Sequence, residues 1–284
     1  MATVFQIDNN NDMCILSILK ARGFGESDDA LWRKVKFGLS GTTVAVGAGG
    51  TGATGAIGVQ WQYATTGLGI FQGIDSYMRW DTSSLSDSEE ITGVQLGLYV
   101  RDTVSQTFSG FSGTPSLLIY AGLTGGSDRP DFSAPVSGTD DKNFYCEDSG
   151  GCSSASCNAN AGATLVGTIA LSALSSGTSG SPTLNTITLN AGTDSGGSAT
   201  LFNEWVNRTG YTYLYITTNL AYDTSSSTVC SNANDTKLVN MSSTSLMSTQ
   251  WYSWGAAGGG TSDFSKAPLL NVSADATKKF QMII

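Results

Sequence analysis

The chain has 284 residues, of which 40% are hydrophobic and 13% charged, and its net charge is −9. The charged fraction lies below the ~25% typical of soluble domains. The acidic balance argues against a nucleic-acid partner, because negative charge repels phosphates. The chain contains no histidine, which excludes Ser–His–Asp and Cys–His mechanisms and removes the most frequent metal ligand.

Serine, threonine and glycine replace the missing charges, and the chain contains 35 glycines. This composition favours short strands joined by tight turns over helices, because glycine and β-branched residues are poor helix formers. The first residues, MATVFQIDNN, lack the basic start and apolar run of a secretory signal. No stretch approaches the ~18 apolar residues of a membrane span. We therefore expect no export signal and no membrane partner.

Residues 1–60 are expected to form an N-terminal extension of a main domain that covers 61–284. Met1–Ile7 suits a strand, and Cys14–Leu19 is a short apolar run. Asp28–Phe37 suits either a short helix or an amphipathic strand. The extension is either an arm that docks on a neighbouring subunit or an extra strand and loop of the same domain.

A glycine-rich segment follows the predicted strand Thr42–Val46. Gly47, Gly49 and Gly52 fit the spacing G-x-G-x-x-G. A dinucleotide site needs a helix next, because the N–H groups of the helix N-terminus hold the pyrophosphate. The following sequence, VQWQYATTGLGIF, is typical of a strand instead. We therefore interpret the glycines as a loop or a turn between strands.

The most informative stretch is GIDSYMRWDTSSLSDSEEITGVQLGLYV, residues 73–100. Its beginning alternates strictly, which predicts a strand with one buried and one wet face. One face carries Ile74, Ser76, Met78 and Trp80, and the other carries Asp75, Tyr77, Arg79 and Asp81. TSSLSDSEE predicts a surface loop. The apolar residues of the second strand are Ile91, Val94, Leu96, Leu98 and Val100.

Further strands are predicted downstream, separated by Ser/Gly-rich loops. They are Ser116–Ala121, Leu165–Leu171, Thr186–Leu189, Tyr211–Asn219 and Leu269–Val272. In the Tyr211 strand, Tyr211, Tyr213 and Tyr215 share one face, and Leu214 and Ile216 share the other. FNEWVN at 202–207 suits a helical turn around Trp205. Eight to ten strands at this spacing predict an all-β sandwich.

Two of these motifs together resemble a known family. The strand SYMRWDTSSL, its acidic loop and ITGVQLGLYV resemble the opening of DNRLRE-type jelly-roll modules, and the strand APLLNV at 267–272 is similar to their closing strand. The resemblance covers about 70–272. It implies a jelly-roll β-sandwich of the kind found in secreted and cell-surface proteins, often beside glycan-active domains, and in structural proteins of tailed phages. Related modules can carry calcium.

Five cysteines are present, and three of them lie in one polar loop. Cys146, Cys152 and Cys157 share this loop, and Cys230 and Cys14 lie elsewhere. Closing the loop by a disulfide and linking it to Cys230 would stabilise it by a few kcal/mol, with Cys14 left free and buried. Spacing does not fix the pairing. A cysteine-only zinc site and unpaired thiols are the alternatives, although C-x5-C-x4-C is not the usual zinc spacing.

Carboxylates occur as neighbouring pairs, mostly in predicted loops. The pairs are Asp28/Asp29, Glu89/Glu90, Asp140/Asp141 and Glu147/Asp148. A glycosidase needs two carboxyl groups that face each other across the scissile bond, and no such arrangement is visible. We interpret the pairs as solvated loops and predict no catalytic residues and no cofactor. Calcium is the alternative, because it prefers oxygen ligands, although no EF-hand spacing is present.

A last cluster is aromatic. Trp251, Tyr252 and Trp254 precede a glycine-rich loop. Such residues stack on sugar rings or bury in a partner surface, and core packing or loop anchoring is the alternative.

The sequence therefore predicts assembly rather than chemistry. The leading hypothesis is a non-enzymatic virion structural protein, either a phage capsid decoration (cement) protein or a head or tail fibre component. Its expected partners are the major capsid protein or other virion proteins, and copies of itself in a homo-oligomer. Its expected location is the virion, assembled in the host cytoplasm. The alternative is an extracellular glycan-binding module or adhesin that uses the surface aromatics.

Overall fold

The chain folds almost entirely into β-strands. The computed structural model describes residues 2–7, 12–19, 42–48, 56–64, 70–105, 114–121, 164–178, 180–192, 201–218, 245–252 and 266–276. The strands are β1 (Ala2–Gln6), β2 (Asp12–Leu19), β3 (Thr42–Ala48), β4 (Ala56–Ala64), β5 (Ile70–Asp81), β6 (Glu89–Ser105), β7 (Ser116–Ala121), β8 (Thr164–Ala170), β9 (Thr183–Leu189), β10 (Tyr211–Thr218), β11 (Ser245–Tyr252) and β12 (Leu269–Ala276). Helical structure in these ranges includes a 3-10 turn, Leu171–Ala173, and a short helix α1, Phe202–Trp205. The all-β prediction is confirmed.

The strands are arranged in two facing antiparallel layers. Layer A has the order β1-β12-β6-β9, and layer B has the order β5-β10-β7-β8. Every pairing among the described strands is antiparallel. The inward residues of both layers form one hydrophobic cluster. The core therefore lies between the layers, as in a sandwich.

Four additional strands extend the layers. β4 pairs with the first part of β5, and β11 pairs with β4 and with the last part of β6, so that these two strands connect layer B to layer A. β2 pairs with the other edge of β5, and β3 pairs with β2. The strands before residue 60 are thus hydrogen-bonded to those after it. The division into 1–60 and 61–284 stays a prediction.

Alternation along the strands decides which side chains enter the core. On β5, Ser76, Met78 and Trp80 are fully buried, as the period of two predicts. On β10, Leu214 and Ile216 belong to the core cluster, again as predicted. Burial of each large apolar side chain contributes about 1.5–3 kcal/mol relative to leaving it exposed.

The motifs SYMRWDTSSL and APLLNV lie far apart in sequence but meet at one carbonyl group. The indole N–H of Trp80 donates to the carbonyl oxygen of Pro268 at 3.2 Å. The backbone N–H of Ile7 donates to the same oxygen at 3.0 Å. Pro268 precedes β12 in layer A, and Trp80 lies on β5 in layer B. This oxygen therefore joins the two layers and the N-terminal strand.

Two strand predictions need correction. β9 begins at Thr183 rather than Thr186, because alternation of Asn185, Ile187 and Leu189 toward the interior already starts there. β11, Ser245–Tyr252, was not among the predicted strands. Its sequence SLMSTQWY has no regular alternation of polar and apolar residues, and pairing with β4 and β6 places it in the sheet.

Candidate interaction surfaces

The acidic loop Thr82–Ser88 crosses from layer B to layer A at one end of the sandwich. Its side chains are mostly exposed, and Leu85 is buried in the core cluster. The backbone N–H of Ser83 donates to Asp81 Oδ1 at 3.0 Å. The hydrogen bond from the Ser83 side chain, together with this N–H, holds the pKa of Asp81 below its usual value. The predicted surface loop is confirmed for Thr82–Ser88, but Glu89 and Glu90, which the prediction included in it, are the first residues of β6.

A buried hydroxyl group fixes the start of this loop. Thr82 and Thr212 are fully buried, and their hydroxyl oxygens are 2.7 Å apart. Thr82 Oγ1 also lies within hydrogen-bond distance of the carbonyl oxygens of Asn207 and Gly210. Buried hydroxyls need such partners, because losing water without them is unfavourable. The contact fastens the loop to the turn that precedes β10.

Arg208 fastens the other end of the loop. Its guanidinium donates to the carbonyl oxygens of Ser86 and Glu89 and to Asn203 Oδ1 at 2.8 Å. The planar fork of N–H donors suits several fixed acceptors at once. Sequence reasoning missed this residue, because two of its three acceptors are backbone carbonyls distant in sequence.

An open cleft lies beside Arg208. It has a volume of about 400 Å³ and is lined by Asp87, Glu89, Glu90, Asn203 and Arg208. The predicted pair Glu89/Glu90 therefore comes together with Asp87 and a cation. Within the described ranges, no three Cys, Asp or Glu side chains are grouped so that they could hold a metal ion. The cleft is a charged surface feature lined both by carboxylates and by the arginine.

Replacing Arg208 tests this role. Arg208→Ala should lower the free energy of unfolding by about 1–3 kcal/mol, because three charge-assisted hydrogen bonds are lost. Chemical denaturation measures this change, and hydrogen exchange should speed up at residues 86–89. Arg208→Lys is the matched control, because it keeps the charge but not the fork. A lysine variant as stable as the native chain would contradict the geometric role and leave charge alone as the cause.

A second surface is aromatic and lies on the outer face of layer B. The guanidinium carbon of Arg79 lies 4.3 Å from the centroid of the Tyr211 ring. The rings of Tyr211 and Tyr213 are 6.5 Å apart and inclined at 61°, and both side chains are half-buried. Farther along this face, Tyr215 and Tyr120 are buried, with centroids 6.2 Å apart. This face presents aromatic rings next to a cation, an arrangement worth ~0.5–1 kcal/mol at exposed sites.

A third surface is the edge of layer A. β1 pairs with β12 along one edge, and none of the other described strands pairs with its opposite edge. All its residues except Phe5 are exposed. Val4 is 60% exposed, and Leu165 and Leu184 are exposed apolar residues on other strands.

The residues singled out from sequence are placed only in part. Trp251 and Tyr252 are the last two residues of β11. The structure describes only their backbone, and Trp254 lies outside the described residues. Cys14 lies in β2. Cys146, Cys152, Cys157 and Cys230 lie outside the described residues, so the disulfide, zinc and free-thiol hypotheses stay open. Trp205 does lie on a helical turn, α1, and its indole N–H donates to the Ala191 carbonyl at 3.0 Å.

The described helices are all short, and none has the length and apolar character needed to cross a membrane. No protein-family model and no curated protein matches this chain.

Proposed function

We propose that this chain is a non-enzymatic structural protein of a phage particle, a capsid decoration (cement) protein or a component of a head or tail fibre. Its function would be to bind neighbouring virion proteins and copies of itself. The observation that carries the proposal is the order of the strands, together with the contact between the two family-like motifs. Assembly proteins of this kind act through buried interface area and added strands.

The strand order supports a jelly roll. Among the eight strands of the two layers, layer A holds the first, eighth, third and sixth in chain order, and layer B holds the second, seventh, fourth and fifth. A jelly roll interleaves its strands in this way, because two Greek keys are wrapped into facing sheets. β2, β3, β4 and β11 are then additions to the basic module.

The motif contacts support the family resemblance. The opening motif contributes Trp80 and the closing motif contributes Pro268, and these residues are hydrogen-bonded across the core. A resemblance made of unrelated fragments would not require the two motifs to meet. We therefore base the proposal on the family's structural role in phage particles. The partners would be virion proteins, and the location would be the virion.

Particle binding tests the proposal. Shells from a phage that lacks this gene should bind the purified full chain saturably, and electron cryomicroscopy should place it at symmetric positions. Bovine serum albumin at the same concentration serves as the control for unspecific adsorption. Shells that assemble with normal stability and take up none of the chain would contradict the proposal.

The second candidate function is glycan binding, which the aromatic face of layer B favours. Tyr211, Tyr213 and Arg79 offer ring faces and a cation beside one another, and sugar rings stack on such faces. Glycan-array binding that is lost in Tyr211→Ala and retained in Thr188→Ala, an exposed residue of layer A, would support this function. Trp251→Ala tests the residue that the sequence indicated. Binding unchanged in both aromatic variants would rule out these surfaces.

A further inference from the structure

The outer face of layer A, the side turned away from the core, carries no charge over most of its area. The core residues Leu96, Leu98 and Leu270 define the inward side, and the residues that alternate with them point outward. From Gly93 to Tyr99 on β6, these outward residues and their cross-strand partners on β1, β9 and β12 are all uncharged. A chain with a net charge of −9 thus presents a neutral sheet face.

This neutral face has a bulky half and a flat half. Leu184 and Leu269 meet over Gly97, because a Cβ at that glycine would lie 3.5 Å from a Cδ1 atom of each leucine. Leu184 is 44% exposed, and Tyr99 is its partner on β6. Toward the other end, a Cβ at Gly93 would have its nearest heavy atom on another strand at 3.9 Å. Large side chains therefore stand at one end of the face, and open space lies at the other.

The outer face of layer B differs in its exposure. Leu118, Tyr120 and Tyr215 lie outside the core cluster and are nevertheless buried. That face is therefore already covered at its centre within a single chain. On the outer face of layer A, in contrast, Val4 and Leu184 are exposed. Of the two outer faces, that of layer A is the more open to a partner.

We propose that the neutral face of layer A packs against the same face of a second copy of this chain, around a twofold axis that runs across the strands. This inference rests on the assembly role proposed above and identifies the contact between copies. A twofold interface must be self-complementary. With the axis across the strands, the half that carries Leu184 and Tyr99 covers the flat half around Gly93 of the other copy. Packed sheets lie about 10 Å apart, which leaves room for such interlocking side chains.

Charge favours this partner and this orientation. Two copies with a net charge of −9 each repel one another, so they approach most easily through a neutral surface. A neutral face also offers nothing that would select a basic or an acidic partner. Beyond the flat end of the face, Glu90 is paired with Asp275. An axis along the strands would bring these carboxylates of the two copies together, whereas an axis across the strands keeps them apart.

The size of the face sets the strength of the contact. Four strands about 4.8 Å apart, each contributing about seven residues of ~3.3 Å, cover roughly 450 Å² per copy. The total of about 900 Å² is less than the roughly 1,200–2,000 Å² of a stable interface. Self-association should therefore be weak and depend on concentration.

Charge placed near the proposed axis tests the contact. Sedimentation equilibrium of the full chain over about a hundredfold concentration range should show reversible dimers. Thr186 is exposed and pairs with Gly97 near the middle of the face. Thr186→Lys and Thr186→Glu should each weaken dimerisation about fivefold or more, because like charges then meet across the interface. An equimolar mixture of the two variants should restore it as a heterodimer.

A second variant tests the flat half of the face. Gly93→Lys has room for its side chain within its own chain, so its melting temperature should not fall below that of the native chain. It should nevertheless weaken dimerisation about fivefold or more, because the lysine occupies the space that Tyr99 of the other copy would fill. Thr168→Lys is the matched control, since Thr168 is an exposed strand residue of layer B. It should dimerise like the native chain.

Four results would each overturn the inference. They are a native chain that stays monomeric, dimerisation unchanged in Thr186→Lys or in Gly93→Lys, no rescue in the mixture, and an equal loss in Thr168→Lys. Shell binding by the native chain distinguishes this failure from failure of the proposed function, which predicts binding even when the free chain is monomeric.

Discussion

Replacing Trp80 by alanine should lower the free energy of unfolding by about 3–5 kcal/mol, the range for removing a large aromatic side chain from a core. Trp80 is 1% exposed and is among the largest fully buried side chains of the described residues. It contributes both apolar area and the indole N–H that donates to Pro268. Its loss therefore opens a cavity and separates β5 from the start of β12.

Trp80→Phe separates these two contributions. Phenylalanine keeps most of the ring volume but has no N–H, and Pro268 keeps its hydrogen bond from Ile7. We expect a loss of about 1–3 kcal/mol, less than for alanine. Urea denaturation of both variants measures the effect. An alanine variant within ~1 kcal/mol of the native chain, a change typical of ordinary substitutions, would contradict the position of Trp80 between the layers.

Replacing Gly192 by alanine should also destabilise the fold strongly. Gly192 has φ of 94°, a region that residues with a Cβ rarely adopt. An added Cβ would lie 2.3 Å from Thr164 Cγ2 and 2.9 Å from the carbonyl oxygen of Leu165. Backbone strain of about 1–3 kcal/mol and overpacking of about 1–3 kcal/mol should combine to a loss of roughly 2–5 kcal/mol.

Gly180→Ala is the matched control for this substitution. A Cβ at Gly180 would meet no heavy atom within 4 Å, so its stability should stay within about 0.5 kcal/mol of the native chain. Thermal unfolding of the two variants side by side gives the comparison. Equal melting temperatures would show that the turn after β9 does not need the left-handed conformation.

Much of the fold was predictable because its strands alternate. The period of two in β5 and in β10 identified their inward residues correctly, from Met78 and Trp80 to Leu214 and Ile216. The polar run TSSLSDSEE marked the loop between β5 and β6. These signals are local, because each depends on the residues of a single segment.

The other parts of the fold and of the interaction surfaces depend on pairing between segments that are distant in sequence. β11 has an irregular pattern of polar and apolar residues, and its place is set by β4 and β6. The carbonyl of Pro268 and the acceptors of Arg208 are backbone groups, which any residue supplies. Interaction surfaces made in this way have no sequence motif.

The molar mass of the purified full chain in concentrated solution, by light scattering with and without reductant and chelator, tests the central claim of an assembly role most directly. We predict a mass of two or more chains, unchanged by either reagent, because packing and strand pairing hold the copies together. A monomer at every concentration that loses stability with chelator would contradict this account and indicate a calcium-bearing binding module instead.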